Sequence, residues 1–155
     1  MEDETIIFHI NGIYLKDASF ESPRAPEIFS NINISDYHPK IDFDLNIAYQ
    51  LLNESHNIYE VVLKGTVKAT IENETSFIAE VQQAGTFTIK GIRDQELERV
   101  LGADCPNALF PFLREQVGQL ISRGGFPIFL LEPINFYAMY EHKKASDHIV
   151  SDSIN

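Results

Sequence analysis

Five histidines, one cysteine and a pair of aspartates are the side chains in this 155-residue sequence best suited to chemistry. His9, His38, His56, His142 and His148 are scattered, with no His-Glu-x-x-His or other metal-ligand spacing, so they read as surface or ordinary structural residues. A lone Cys105 excludes an intramolecular disulfide and a multi-cysteine zinc site. It could serve as a nucleophile with a distant histidine, but Cys105-Pro106 ahead of an apolar helical stripe fits a buried thiol at a turn better. Asp42 and Asp44 share one strand face and could hold a cation; keeping that face hydrated is the simpler role. Gly124-Gly125 follows a helix, whereas a phosphate-cradling glycine loop precedes one. These residues point to no catalytic centre, no metal and no cofactor.

Charge narrows the class of partner. Lys and Arg number 12 against 23 Asp and Glu, a formal net charge of -11. Such a chain repels phosphate backbones and anionic headgroups, which disfavours nucleic acid and membrane surfaces and favours basic partners. The start, Met1-Glu2-Asp3-Glu4, lacks the positive charge and apolar core of a secretory signal, and no apolar run reaches the roughly 18 residues of a membrane span. A cytoplasmic location is expected, and there the triplets at Asn33, Asn53 and Asn73 would carry no glycan.

Strands come first along the chain. Ile6, Phe8 and Ile10 hold one parity, which shifts around Gly12 to Ile13 and Leu15, as at a bulge. Pro23 and Pro26 stop this strand by Phe20, and Ser30 to Pro39 reads as a loop. Ile41, Phe43, Leu45, Ile47, Tyr49 and Leu51 then alternate with Asp42, Asp44, Asn46 and Gln50, the pattern of a half-exposed antiparallel strand. A third strand runs over Tyr59 to Ile71. Glu72-Asn73-Glu74 turns into a fourth, with Phe77, Ala79, Val81, Phe87 and Ile89 on one face.

Past Gly91 the period becomes helical. Asp94 is a plausible cap for a short helix through Leu101 that Gly102 ends. Phe110, Leu113, Val117, Leu120 and Ile121 form a stripe, with Pro111 in the first turn and Gly124 closing the helix. A shorter helix starts near Asn135 and carries Phe136, Met139 and Tyr140 on one side; Ser146 to Asn155 is a polar, frayed tail. Strands followed by helices predict an α+β fold: a four-stranded antiparallel sheet with two C-terminal helices, in one domain over residues 1–145. With 11 Phe, 6 Tyr and no Trp, the sequence holds more rings than one small core accommodates easily. Apolar residues on second parities (Ile58, Val62, Ile78) fit either an oligomer interface or an exposed apolar groove.

Several ordered blocks resemble the SecB family of bacterial protein-export chaperones. They are Tyr14-Leu15-Lys16-Asp17-Ala18-Ser19-Phe20-Glu21, Tyr59-Glu60-Val61-Val62-Leu63, Glu80-Val81-Gln82-Gln83, Leu101-Gly102-Ala103-Asp104-Cys105-Pro106-Asn107-Ala108-Leu109-Phe110-Pro111 and Ser122-Arg123-Gly124-Gly125-Phe126-Pro127. The resemblance extends from about Ile6 to Tyr140. It implies a cytoplasmic homotetramer, a dimer of dimers with helices between two sheets. It also implies a protein without ATPase activity or catalytic residues that holds unfolded precursor proteins and delivers them to SecA, the translocase motor, for export across the inner membrane.

By the same resemblance, Asp17, Glu21, Ile78 and Glu80 form the SecA-docking face, and Ala79, Val81 and Gln83 lie where dimers meet as tetramers. Ile41, Phe43, Leu45, Tyr59, Phe136 and Tyr140 would contact the client. The sequence departs from the family at Ala84, in place of a glycine, at Tyr37, where Trp is common, in a longer Ser30 to Asp36 loop, and in a tail carrying Lys143 and Lys144. A SecB-like chaperone serving a toxin–antitoxin pair would share the fold without needing the SecA face. A small-molecule enzyme and a plain interaction subunit are the readings from other classes.

Overall fold

The computed structural model describes residues 5–31 and 36–154. Four strands, β1 (Ile7–Glu21), β2 (Lys40–Asn53), β3 (Ile58–Ile71) and β4 (Glu74–Lys90), form one antiparallel sheet in the order β1-β4-β3-β2. β2, β3 and β4 follow one another as hairpins while β1 returns to pair with β4, a Greek-key order that leaves β1 and β2 as edges. Glu72 and Asn73 link β3 to β4 with φ of 52° and 64°, the left-handed pair a two-residue hairpin requires. β1 slips register between Ile10 and Gly12 and again between Leu15 and Asp17. The first slip is the parity shift visible in sequence: it keeps Phe8, Ile10, Ile13 and Leu15 on one face, opposite Ile89, Phe87, Gly85 and Gln83.

That face is covered by helix. α2 (Asp94–Arg99), a π-helical turn (Val100–Asp104) and α3 (Cys105–Arg123) run without interruption. Leu109, Leu113, Val117 and Ile121 repeat every four residues along α3 and are buried against Val61, Leu63, Val67, Phe77, Val81 and Phe87. Gly65 lets this helix come close, since a Cβ there would lie 3.0 Å from Leu113 Cδ2.

Several expectations are corrected. Gly102 does not end a helix; it sits inside the π turn, where its missing side chain serves packing. Asp94 is the first helical residue, and Arg93 precedes it as the cap. Because α3 begins at Cys105, Pro106 takes the first-turn position and Pro111 lies inside the helix. The carbonyl that loses a partner there belongs to the exposed Asn107, which water can reach. A short helix, α1 (Glu27–Asn31), occupies the start of the expected loop, anchored by the buried Ile28. Residues 32–35, within the Ser30 to Asp36 segment, lie outside the described residues. The last helix, α4 (Phe136–Ile154), is longer than expected. No proline or glycine follows Phe136 to stop it, so the backbone from Ser146 to Ile154 continues the helix where a frayed tail was expected.

Candidate functional site

β2 carries the cleanest apolar alternation in the chain, yet it is an edge strand and α3 sits mainly over β3 and β4. Ile41, Phe43, Leu45, Ile47, Tyr49 and Leu51 pair with Ala69, Val67, Gly65, Leu63, Val61 and Tyr59 on the helix-bearing face. Their β3 partners are mostly buried, but Phe43, Tyr49 and Leu51 keep 36%, 47% and 48% of their surface in contact with solvent. An apolar stripe therefore lies open along the flank of the core.

α4 forms the facing wall. Asn135 caps it, its Oδ1 accepting from the Ala138 amide at 3.0 Å. Phe136 meets Phe110 edge-on with ring centroids 5.6 Å apart. The Tyr137 hydroxyl donates to Asp104 of the π turn, and the Arg99 guanidinium stands 5.4 Å over the same ring. Tyr140 lies on Gly102, where a Cβ would come within 3.1 Å of its Cδ2. The π turn thus presents both a carboxylate and a bare backbone to one face of α4.

Between the two walls is a cavity of about 280 Å³ lined by Ile47, Tyr49, Glu98, Gly102, Met139, Tyr140, Lys143 and Lys144. Burial, followed by the nearby Glu98 carboxylate, raises the phenol pKa values of Tyr49 and Tyr140 above 10.0. Both rings stay neutral at physiological pH and offer an apolar face with a hydroxyl tip. Such a site can grip a large side chain without making or breaking bonds. Cys105 is fully buried, and burial pushes its thiol up to about 12, the state of an inert core thiol.

Ile41, Phe43 and Leu45 lie on the open stripe, Tyr59 is half-buried beside Leu51, and Tyr140 lines the cavity. Phe136 does not line it. At 0% exposure it is a core ring, a correction that follows from its packing against Phe110. Ile47 and Tyr49 share the parity of the nominated β2 residues and could have been added from the alternation alone. Met139, on the same side of the last helix as Tyr140, was legible in the same way; Glu98, Lys143 and Lys144 were not, because the π turn determines which side of α4 meets the sheet.

The other sheet face gathers the acidic residues. Asp17, Ser19 and Glu21 pair with Gln82, Glu80 and Ile78, so Asp17, Glu21, Ile78 and Glu80 occupy three successive rows at the β1–β4 side. Asp42 and Asp44 share this face, paired with Lys68 and Thr66. Lysines interrupt the acidic character: Lys64 reaches Glu80 at 3.5 Å, and Thr66 Oγ1 donates to Glu80 at 3.3 Å. Ala79, Val81 and Gln83 point the opposite way and are buried beneath α3. Within one chain, this close-packed face is covered by its own helix.

The preprotein translocase subunit SecB family model matches residues 1–147. The protein-export protein SecB of Chromohalobacter salexigens is 47% identical over 139 residues, covering 88% of this chain and 81% of that protein. The SecB of Xanthomonas oryzae pv. oryzae is 45% identical over 147 residues, covering 95% of this chain and 82% of that protein. A Mycobacterium tuberculosis SecB-like chaperone, Rv1957, solved in complex with a ChAD peptide from the Rv1956 HigA1 antitoxin, superposes with a TM-score of 0.65 at 20% identity. The match covers 82% of this chain and 90% of that one, a likeness of fold. With its sheet order, its open β2 flank and relatives of this closeness, the chain belongs to the SecB family of protein-export chaperones.

Proposed function

We propose that the protein is an ATP-independent, cytoplasmic holdase that keeps unfolded precursors extended in the β2–α4 groove and passes them to SecA. The observation that carries this reading is the β2 stripe, where Tyr49 and Leu51 remain about half exposed beside a cavity. Fully burying a large apolar side chain gains about 1.5–3 kcal/mol, while fixing a residue's backbone costs about 1–2 kcal/mol. Each contact nets little, so useful affinity needs many contacts along one extended chain. A folded client has already buried its apolar side chains, so selectivity follows the client's folding rate.

The test is suppression of aggregation of a denatured substrate. Tyr49→Ser with Leu51→Ser is expected to abolish most of the protection while lowering stability by about 1.5–3 kcal/mol, the share of two half-buried side chains. Full protection by this variant, with its fold intact, rejects the groove.

Assembly is part of the reading. Phe8, Ile10 and Leu15 on β1 and Phe112 on α3 are exposed apolar side chains that a second copy would cover, giving a dimer of dimers with helices between sheets. Ala79, Val81 and Gln83 would then affect assembly through the seating of α3. Four copies would carry -44 from -11 each, a field that draws basic segments and weakens with salt over a Debye length of about 8 Å. Asp17, Glu21 and Glu80, with Ile78 as apolar neighbour, serve as the SecA face. Glu80→Lys is expected to weaken SecA binding in a pull-down at physiological salt while leaving aggregation suppression intact; equal loss of both would show that the two faces are not separate.

A further inference from the structure

Glu80 occupies the middle row of the acidic sheet face, and lysines approach it from one side only. On β1, Asp17 and Glu21 pair with Gln82 and Ile78, the two rows that flank Glu80. On β3, Lys64 and Lys68 pair with the same two residues, and Thr66 stands directly opposite Glu80. The sheet thus sets acids on one side of β4 against bases on the other, with neighbouring strands about 4.8 Å apart. Glu80 is held by the basic side. Lys64 Nζ lies 3.5 Å from its Oε1, and Thr66 Oγ1 donates to its Oε2 at 3.3 Å. Among the described residues the ion pairs are Lys16–Glu60, Arg24–Glu74 and Lys64–Glu80, so neither Asp17 nor Glu21 holds a cation there. A basic partner therefore meets two carboxylates that are open to it and a third that is already taken.

We propose that Lys64 is an intramolecular competitor for the partner's cation at Glu80, and that it holds the docking face below its greatest affinity. The Lys64 and Glu80 side chains both keep access to water. An arriving Lys or Arg can take over Glu80 Oε1 without opening a strand, while Thr66 keeps the carboxylate in place through Oε2. The displaced ammonium swings out on its flexible stem and is hydrated. An exposed ion pair is weak, so the competition costs the partner a few-fold in affinity and does not block it. The proposal rests on the SecA face proposed above and adds to it the residue that regulates it.

Isothermal titration calorimetry of the full chain with SecA, at about 0.15 M salt, tests it. Lys64→Gln, Glu80→Gln and the double variant complete a cycle with the parent. Lys64→Gln is expected to bind SecA about two- to fivefold tighter than the parent, and Glu80→Gln to bind it more weakly. Adding Lys64→Gln to the Glu80→Gln background should bring little further gain, because the contested carboxylate is gone. Lys64→Arg keeps the cation and should bind no tighter than the parent. An equal gain in both backgrounds would make Lys64 a contributor to the general field only, and no gain in the parent background would mean that the pair does not compete. Either result overturns the proposal and leaves the docking face standing, provided that Glu80→Gln alone weakens binding. SecA binding that Glu80→Gln leaves unchanged overturns the face itself, and the competitor with it.

Discussion

Phe126→Ala is expected to lower stability by about 3–5 kcal/mol in urea unfolding, the largest effect of any single substitution considered for this protein. Phe126 is 4% exposed and touches rings from four places: Phe77 of β4 at 4.9 Å, Phe29 of α1 at 5.2 Å, Tyr37 at 5.4 Å and Phe20 of β1 at 6.3 Å between centroids. Its position is imposed by the end of α3. The Gly125 amide bonds to Ser122 O at 3.1 Å and the Phe126 amide to Ile121 O at 3.2 Å, with Gly125 at φ 88°. This is a Schellman cap, whose left-handed residue is Gly125 and whose following side chain is turned back on the helix. Truncation leaves a ring-sized cavity between α1 and the sheet, so α1 should also lose amide-exchange protection before the sheet does. Phe126→Leu should recover part of the loss. A cost below about 1 kcal/mol for the alanine variant would mean that the ring cluster is not what fastens α1 to the sheet.

What was legible in the sequence was whatever a strand writes in its own alternation. β2 is the clearest case: the two-residue period identified the stripe, and only its degree of exposure had to come from the fold. The bulge near Gly12 was legible for the same reason, since a slipped register leaves a parity change behind. Gly102 shows the opposite case. A glycine after a short helical stretch fits a stop, and only the arrival of Tyr140 from more than thirty residues away shows that its role is to admit a ring. Ala79, Val81 and Gln83 were placed on the correct parity, but parity does not say whether a neighbouring copy or the chain's own helix covers that face. Alternation puts Glu60 on the polar side of β3, opposite Tyr59, yet at 8% exposure it is a buried acid. Two of its partners come from β1, two strands away, across Ala84 of β4, whose small side chain stands between Tyr14 and Val62.

Removing that carboxylate is the second large effect expected. Glu60 accepts from the Tyr14 hydroxyl, from Lys16 Nζ at 2.8 Å and from Gln50 Nε2 at 3.2 Å, so one side chain joins β1, β3 and β2 across the exposed sheet face. Glu60→Ala leaves three donors without their acceptor and should cost about 2–3 kcal/mol, less than a fully enclosed ion pair because Lys16 retains access to water. The pH dependence has a definite sign. The hydrogen bond from Lys16, then that from Tyr14, hold the Glu60 pKa below its ordinary 4.5. A carboxyl depressed on folding stabilises fully above its unfolded pKa, and the contribution disappears as pH falls through the folded value. At the other end, burial and then the Glu60 hydrogen bond raise Tyr14 from 10.0 to about 12, so its contribution is full below about pH 10 and is lost as pH rises towards 12. Urea midpoints of the parent should therefore decline below about pH 4.5 and again above about pH 10. Glu60→Gln, which keeps the shape and can no longer titrate, should flatten the acid limb and, by removing the charge beside Tyr14, move the alkaline limb to lower pH. An acid limb of unchanged slope in that variant would assign the acid sensitivity to other carboxyls, and an unmoved alkaline limb would mean that Tyr14 is held by burial alone.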